Sequence, residues 1–294
     1  MTGEYADDEL LRLHDVLYDI LSEIARVCDL LHIPYFIQGG SAIGAFFEQA
    51  ILPWDDDIDV GLTRENYNRF QREAPALLRP EFVLQNQETD PHTPYFFSKL
   101  MKRGTVFEEH DMRTLPMMKG IFVDVFPYDK VPDNPRLQKF QRTVAQFFNC
   151  CLMGTEQWRW KHFGTCQIAH PTNRGWLPCL LTRLAVTLLS KRQINRMLVW
   201  SQTWFNRKQK GCSYYNMVLF PKDHISVESI ENPQRVQFGP LTVWAPSNLE
   251  AYLRHHYRNL RRHIPKEEQQ NHHPFRLCFD SGEGSNIPEE NELC

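Results

Sequence analysis

No two cysteines in this sequence are spaced CxxC. The eight present, Cys28, Cys150, Cys151, Cys166, Cys179, Cys212, Cys278 and Cys294, therefore give no zinc-ribbon framework. No apolar run is long enough to cross a bilayer: the longest, from Trp176 to Leu189, is broken by Pro178 and Arg183. That run reads as a buried helix or as one lying on a membrane surface. No sign of charge dominates, since 33 Lys and Arg face 36 Asp and Glu for a net charge of -3. Duplex nucleic acid, which selects a basic face, is not an expected partner. The acidic start, Met-Thr-Gly-Glu-Tyr-Ala-Asp-Asp, lacks the basic-then-apolar pattern of an export signal. The expectation is a cytoplasmic chain with reduced thiols.

What is present is ordinary globular composition, 42% hydrophobic and 23% charged over 294 residues, enough for one large domain or two modest ones. Leu10, Leu13, Leu17, Ile20, Ile24, Val27 and Leu31 recur at spacings of three and four. They predict a helix stopped by Pro34. Tyr35-Phe36-Ile37 reads as a short strand leading to the Gly39-Gly40-Ser41 turn, with Ser41 expected to cap a helix through Phe46 and Phe47. Strands are expected over Asp57–Val60, Tyr95–Lys102 and Ile121–Phe126, the last ended by Pro127, and a helix over Arg64–Glu73. Asp133-Asn134-Pro135 opens a stretch to about residue 210 that reads as mostly helical, rich in aromatic and basic residues. Gly239-Pro240 joins two strand-like runs as a hairpin, and Leu249, Tyr252, Leu253 and Tyr257 mark a late helix. The segment from Asp280 onward, rich in Gly, Ser, Asn and Glu, is expected to be a disordered acidic tail.

The chemistry concentrates in Trp54-Asp55-Asp56-Asp57-Ile58-Asp59-Val60. Strand alternation puts Asp57 and Asp59 on one face and Ile58 and Val60 in the core. Two adjacent carboxylates repel unless a cation lies between them, and hard oxygen ligands suit Mg²⁺ or Mn²⁺. An acidic run is also commonly a solvated turn, and Asp55 and Asp56 fit a turn or supporting role as well as ligation. Asp124 stands between Val123 and Val125 in an apolar strand. It is either an outward polar position or a third ligand. Lys99 reads as a phosphate contact or an exposed strand lysine. Gln38 reads as a ligand contact or a turn-closing group. His272-His273 reads as a solvated pair or as substrate-orienting or metal-coordinating groups. Trp158 to His162 reads as an aromatic-basic surface or a helical rim.

A Gly-Gly-Ser turn, two acids in alternation and a third on a later apolar strand resemble the nucleotidyltransferase superfamily. The longer runs Tyr35 to Ala45 and Pro53 to Gly61, with Lys99, Thr105, Gly120 to Pro127, Asp129, Pro246, Leu249, Leu253, Tyr257, Pro265 and His272-His273, resemble the LicD family. That family includes bacterial phosphocholine transferases and is similar to fukutin and the fukutin-related protein. Where it usually carries a basic pair after the glycine turn, this chain has Phe47 and Glu48, and its usual Tyr-Gly is here Tyr257-Arg258.

The elements along the chain predict an α+β fold, a small sheet near the front with a mainly helical annex behind it, and the resemblance implies the nucleotidyltransferase type of mixed sheet flanked by helices. Residues 1–130 would be the catalytic core and 131–279 the helical region, whose hairpin and final helix complete the fold. Residues 280–294 would be the tail. It implies a phosphotransferase with Asp57, Asp59 and Asp124 as metal-binding and catalytic acids, and with Gln38, Gly39, Gly40, Ser41 and Lys99 binding substrate. It implies a CDP-activated alcohol as donor, such as CDP-choline, a glycan or glycolipid hydroxyl as acceptor in lipopolysaccharide or teichoic acid synthesis, and work at the inner membrane face. Nucleotidyl transfer to a small acceptor, and an impaired glycan- or nucleotide-binding protein on the same fold, remain as alternatives.

Overall fold

A computed structural model describes residues 5–279, apart from residue 7, 161–175, 209, 221–223 and 258. The tail expected from residue 280, and the Lys161 and His162 end of the aromatic-basic cluster, lie outside the described residues, as do the side chains of Trp158, Arg159 and Trp160.

Helix α1 (Glu9–Leu31) buries Leu13, Leu17, Ile20, Leu21, Ile24, Val27 and Cys28 as one stripe. It ends at His32, whose left-handed backbone (φ 52°) returns its N–H to Cys28 and Asp29 carbonyls, before Pro34 can act. The stripe lies on a mixed sheet. Its strands are β1 (Phe36–Ile37), β2 (Asp59–Thr63), β3 (Phe82–Gln85), β4 (Ser98–Lys102) and β6 (Phe122–Val131), in the order β1-β2-β6-β4-β3. Only β2 and β6 run parallel among these neighbours. Ile58, Val60, Leu62, Leu100, Val123 and Val125 are fully buried. Between β1 and β2 the chain forms α2 (Gly39–Phe47), and after β2 it forms α3 (Arg64–Glu73). A short β5 (Val106–Glu108) lies apart from this sheet and pairs with the last strand, β11 (Arg276–Cys278).

β6 continues through Pro127 to Val131, past the expected stop. Its β4 partner reaches only to Val125, and its next partner, β7 (Tyr214–Asn216), starts opposite Asp129. Pro127 sits between these two pairings, so its missing N–H interrupts neither. β7 in turn pairs with β8 (Ile225–Ser226), which leads into the single turn α7 (Val227–Glu231).

The helical region holds α4 (Pro135–Trp160), α5 (Trp176–Leu188) and α6 (Lys191–Gln202). Asn134 caps α4 by accepting from the amides of Arg136 and Leu137, and Ser190 with Gln193 forms a reciprocal capping box on α6. Val131, Ala145, Phe148, Cys151, Leu152, Ile194 and Leu198 make a second core. The two cores are joined by a buried ion pair. Arg64, at the start of α3, bonds both oxygens of Asp129 on β6, which also accepts from Asn206 at 2.6 Å. The hairpin β9 (Gln234–Phe238) and β10 (Leu241–Ala245), followed by α8 (Leu249–His256), returns to the first core through Phe238, Val243, Leu249 and Leu253.

Candidate active site

Sheet register brings the acids together. Asp59 on β2 pairs directly with Asp124 on β6, and Asp124 pairs with Lys99 on β4. Residues in one register row share a face, so the two acids and the lysine form a line across three strands. Asp57 precedes the first hydrogen-bonded residue of β2. The alternation still reaches back to it, because Ile58 O accepts from Asp124 N at 3.0 Å and the Ile58 side chain is buried.

Gly39 and Gly40 open α2 against this line. Gly39 has a left-handed φ of +58°, and a Cβ there would lie 3.0 Å from Asp59 Oδ2. A Cβ on Gly40 would lie 2.7 Å from Asp55 Oδ2. Any side chain at this turn would displace the carboxylates from the helix N-terminus. Ser41 lies inside α2 and does not cap it, because the helix already starts at Gly39 with Gln38 as its flanking residue. The Ser41 hydroxyl instead accepts from Asp59 N at 2.9 Å, locking the strand to the helix. Gln38 is buried with its Oε1 accepting from the Tyr128 hydroxyl at 2.7 Å, so it closes the turn from inside. Gly39 N donates to the Tyr252 hydroxyl of α8 at 3.3 Å.

Lys99 is almost fully buried. Its Nζ lies 3.3 Å from Glu109 Oε2, 3.5 Å from Asp124 Oδ1 and 3.2 Å from the centre of the Phe122 ring. Glu109 also accepts from the Tyr95 hydroxyl at 2.7 Å. Lys102 points the other way and binds Asp19 of α1 at 2.7 Å. Glu48 is directed outward to Arg262, at 2.9 Å.

Sequence reading missed Tyr95 and Glu109 beside Lys99, and Tyr5, which joins His272 and His273 around Asp56. Asp56 is buried and accepts from the backbone N–H groups of both His272 and His273, from His272 Nδ1 at 3.2 Å, and from the Tyr5 hydroxyl at 2.5 Å. The His272 ring also stands 3.4 Å from Asp57 Oδ2. The histidine pair is thus built into the site, against the expectation of plain solvation. Its sequence signals are the adjacency of two histidines and their place in the order of the family resemblance; the partner carboxylate lies more than two hundred residues away. The pairing of β11 with β5 holds the same segment down. Asp55 offers its carbonyl to His14 Nε2 at 2.7 Å, while its carboxylate faces Gly40.

The electrostatics fit a cation site. Burial pushes the carboxyls of Asp55 and Asp59 well above the usual range, and the neighbouring acids push them further. Burial also raises Asp57, against the pull of His272. Asp124 is raised to about 7 by burial and by Glu109 and Asp57, with Lys99 opposing. Its Oδ1 is a buried oxygen with no hydrogen-bond donor. Other groups shift toward their charged forms, as Glu109 does beside Lys99. Asp56, despite burial, is lowered by the hydrogen bonds and charge of His272, and His272 is raised to about 10 chiefly by Asp56. Clustered acids that destabilise one another's charge, an orphan carboxylate oxygen and an all-oxygen donor set match a hard divalent cation. Among the described residues no group of three or more His, Cys, Asp and Glu side chains is placed so that it could hold a metal ion. Ligation by Asp57, Asp59 and Asp124 is therefore a reading of their chemistry.

Comparison with known proteins converges on the same segment. Residues 32–143 match the family model described as LicD/FKTN/FKRP, nucleotidyltransferase domain. The chain is 28% identical over 271 residues, 88% of its length and 93% of the relative's, to the lipopolysaccharide cholinephosphotransferase LicD of Haemophilus influenzae. Shorter matches of 59 residues, 20% of this chain, link it to uncharacterized proteins of Rickettsia typhi (34% identical, 19% of that protein) and Rickettsia prowazekii (32%, 22% of that protein). Residues 32–143, which hold Gly39, Gly40, Asp57, Asp59, Lys99 and Asp124, thus match the LicD-type nucleotidyltransferase domain model, and the chain is similar over most of its length to a LicD cholinephosphotransferase.

Proposed function

We propose that this chain transfers a phospho-alcohol, of the phosphocholine or alditol phosphate class, from a CDP-activated donor to a glycan hydroxyl. The observation that carries the reading is the register pair Asp59–Asp124, with Asp57 two residues upstream and the Gly39-Gly40 helix start beside it. The similarity to a lipopolysaccharide cholinephosphotransferase over most of both chains supports the choice of group and acceptor.

In this reading the acceptor oxygen attacks the distal phosphorus of the donor, the bond to the bridging oxygen breaks, and CMP leaves with that oxygen. The first-turn N–H groups of α2, which have no acceptor within the helix, hold phosphate oxygens. Asp124, a buried acid of the site with a carboxylate oxygen that accepts no hydrogen bond, takes the proton of the attacking hydroxyl. Asp57, Asp59 and Asp124 would hold Mg²⁺ or Mn²⁺, which supplies charge neutralisation and alignment of the phosphates. Lys99 keeps the row of acids from carrying unbalanced charge, and His272 presents a cation on the solvent side, where its side chain is 55% exposed.

The test is CMP release from a panel of CDP-alcohols, with a glycan acceptor and with or without Mg²⁺. Metal-dependent CMP release coupled to phospho-alcohol on the acceptor is the expected result. Appearance of a nucleotidylated acceptor would replace this reading with nucleotidyl transfer. No release from any donor would leave a binding protein on the same fold.

A further inference from the structure

Outside the active site, α5 of the helical region is apolar on two faces. Ala185, Val186 and Leu189 pack inward against the second core. Leu177, Leu180, Leu181, Leu184 and Leu188 recur at helical spacing on one outward face, and they are between 44% and 76% exposed. A soluble helix carries polar residues there; five leucines in a row form a contiguous apolar stripe, which marks a contact surface.

The surroundings of the stripe say what it contacts. The next helix, α6, begins two residues later and carries exposed Arg192, Arg196 and Trp200 at spacings of four, one above the other on a single face. Residues 135 to 210 contain thirteen Lys and Arg but only one acid, Glu156, leaving twenty basic against thirty-five acidic residues for the rest of the chain. Glu156 is buried and bound to Lys191 at 2.7 Å, so it offers no negative charge to the outside. The near-neutral total thus hides a strongly basic region on an acidic body. Leucines on one helix face, with arginines and an exposed tryptophan beside them, suit the boundary between lipid headgroups and acyl chains. α5 has thirteen residues, about 20 Å at a rise of 1.5 Å each, too short for a hydrocarbon core of about 30 Å. No helix among the described residues is long and apolar enough to cross a membrane. A second copy of the chain is a poor occupant, because two such basic regions repel.

We infer that α5 and the basic face of α6 dock this protein onto an anionic membrane surface, with the leucine stripe entering the headgroup layer. Combined with the proposed transfer, and resting on it for this step alone, docking makes the acceptor a lipid-anchored glycan presented at that surface.

The test is flotation of the full chain, without donor or acceptor, with vesicles of pure phosphatidylcholine or vesicles rich in phosphatidylglycerol. The wild type should float with the anionic vesicles and release at high salt. The triple variant Leu181→Glu, Leu184→Glu, Leu188→Glu and the pair Arg192→Glu, Arg196→Glu should each partition about tenfold more weakly or worse, at unchanged thermal midpoint. Three results overturn the inference: no flotation with anionic vesicles, equal flotation with neutral ones, or flotation of the leucine variant like the wild type. Self-association of the wild type that the leucine variant abolishes would assign the stripe to a second copy instead. Because binding is read without turnover, its failure is distinct from failure of the proposed transfer. CMP release onto a soluble acceptor should be the same in the leucine variant as in the wild type.

Discussion

Asp59 and Asp124 are direct partners across the one parallel pair in the central run of the sheet, and the charge of Asp124 helps to raise the Asp59 carboxyl. The two acids come from segments separated by α3, β3 and β4, and the pairing of β2 with β6 sets them side by side.

Neutralising either end of this arrangement tests it most directly. Asp57→Asn or Asp59→Asn keeps side-chain volume and removes one charge from a crowded cluster. Turnover should vanish while the circular dichroism spectrum and thermal midpoint hold or improve. Near wild-type activity of either variant in Mg²⁺ would mean that the site is misassigned.

The pH dependence follows from the direction of the shifts. Asp124 is raised from 3.8 to about 7, so its folded value lies above its unfolded one. Its contribution to stability is fully present below its unfolded pKa and is lost as pH rises through its folded one. Metal-free protein should therefore lose stability between pH 5 and pH 8 relative to the Asp124→Asn variant. The comparison with that variant isolates Asp124 from His272, which is raised to about 10 and loses its contribution over a higher window. Added Mg²⁺ or Mn²⁺ should raise the wild-type midpoint more at pH 8 than at pH 5. Parallel stability curves for the two proteins would remove Asp124 from the account.

Lys99 is the counter-charge of two buried carboxylates, Glu109 and Asp124. Lys99→Met should destabilise the fold by about 3 kcal/mol, because it strands Glu109 and Asp124. A double-mutant cycle with Glu109→Gln should show strong coupling. If the donor Michaelis constant stays constant in any folded Lys99 variant, the lysine has no phosphate contact.

Asp56 ties both ends of the chain to the site. Asp56→Ala should free the segment around His272, with a loss of about 1–3 kcal/mol for the donors left unpaired. Limited proteolysis should then cut near residue 271 well before it cuts the wild type. Tyr5→Phe removes only one of these bonds and should cost less. Equal protease resistance in the Asp56 variant would show that the β5–β11 pairing alone holds the segment.

Glu48 faces Arg262 and not the acids. Glu48→Ala should leave the donor Michaelis constant unchanged, whereas an acid pointing at a phosphate would repel it. A clear improvement in donor affinity would place Glu48 in the cleft.

Local pattern alone determined much of this protein. The three-four spacing of leucines specifies α1, because a helix must bury that stripe. Two-residue alternation specifies that Asp57 and Asp59 leave the core while Ile58 and Val60 enter it. Arg64–Glu73, the Gly239-Pro240 hairpin and the late helix were legible for the same reason: their periodicity and turn residues are neighbours in the chain. The tertiary structure decided what depends on distant partners. Pro127 continues a strand because neither neighbour needs its N–H there, a fact of sheet order and register. Ser41 serves Asp59 and not a helix end because α2 starts two residues earlier, where Gly39 takes a left-handed backbone. Asp56, indistinguishable in sequence from its acidic neighbours, is set apart by the amides of His272 and His273. Lys99 is buried between acids because β4 and β6 pair in one register and not the next. One residue of slip would turn every side chain of the strand to the other face, and no run of adjacent residues encodes that choice.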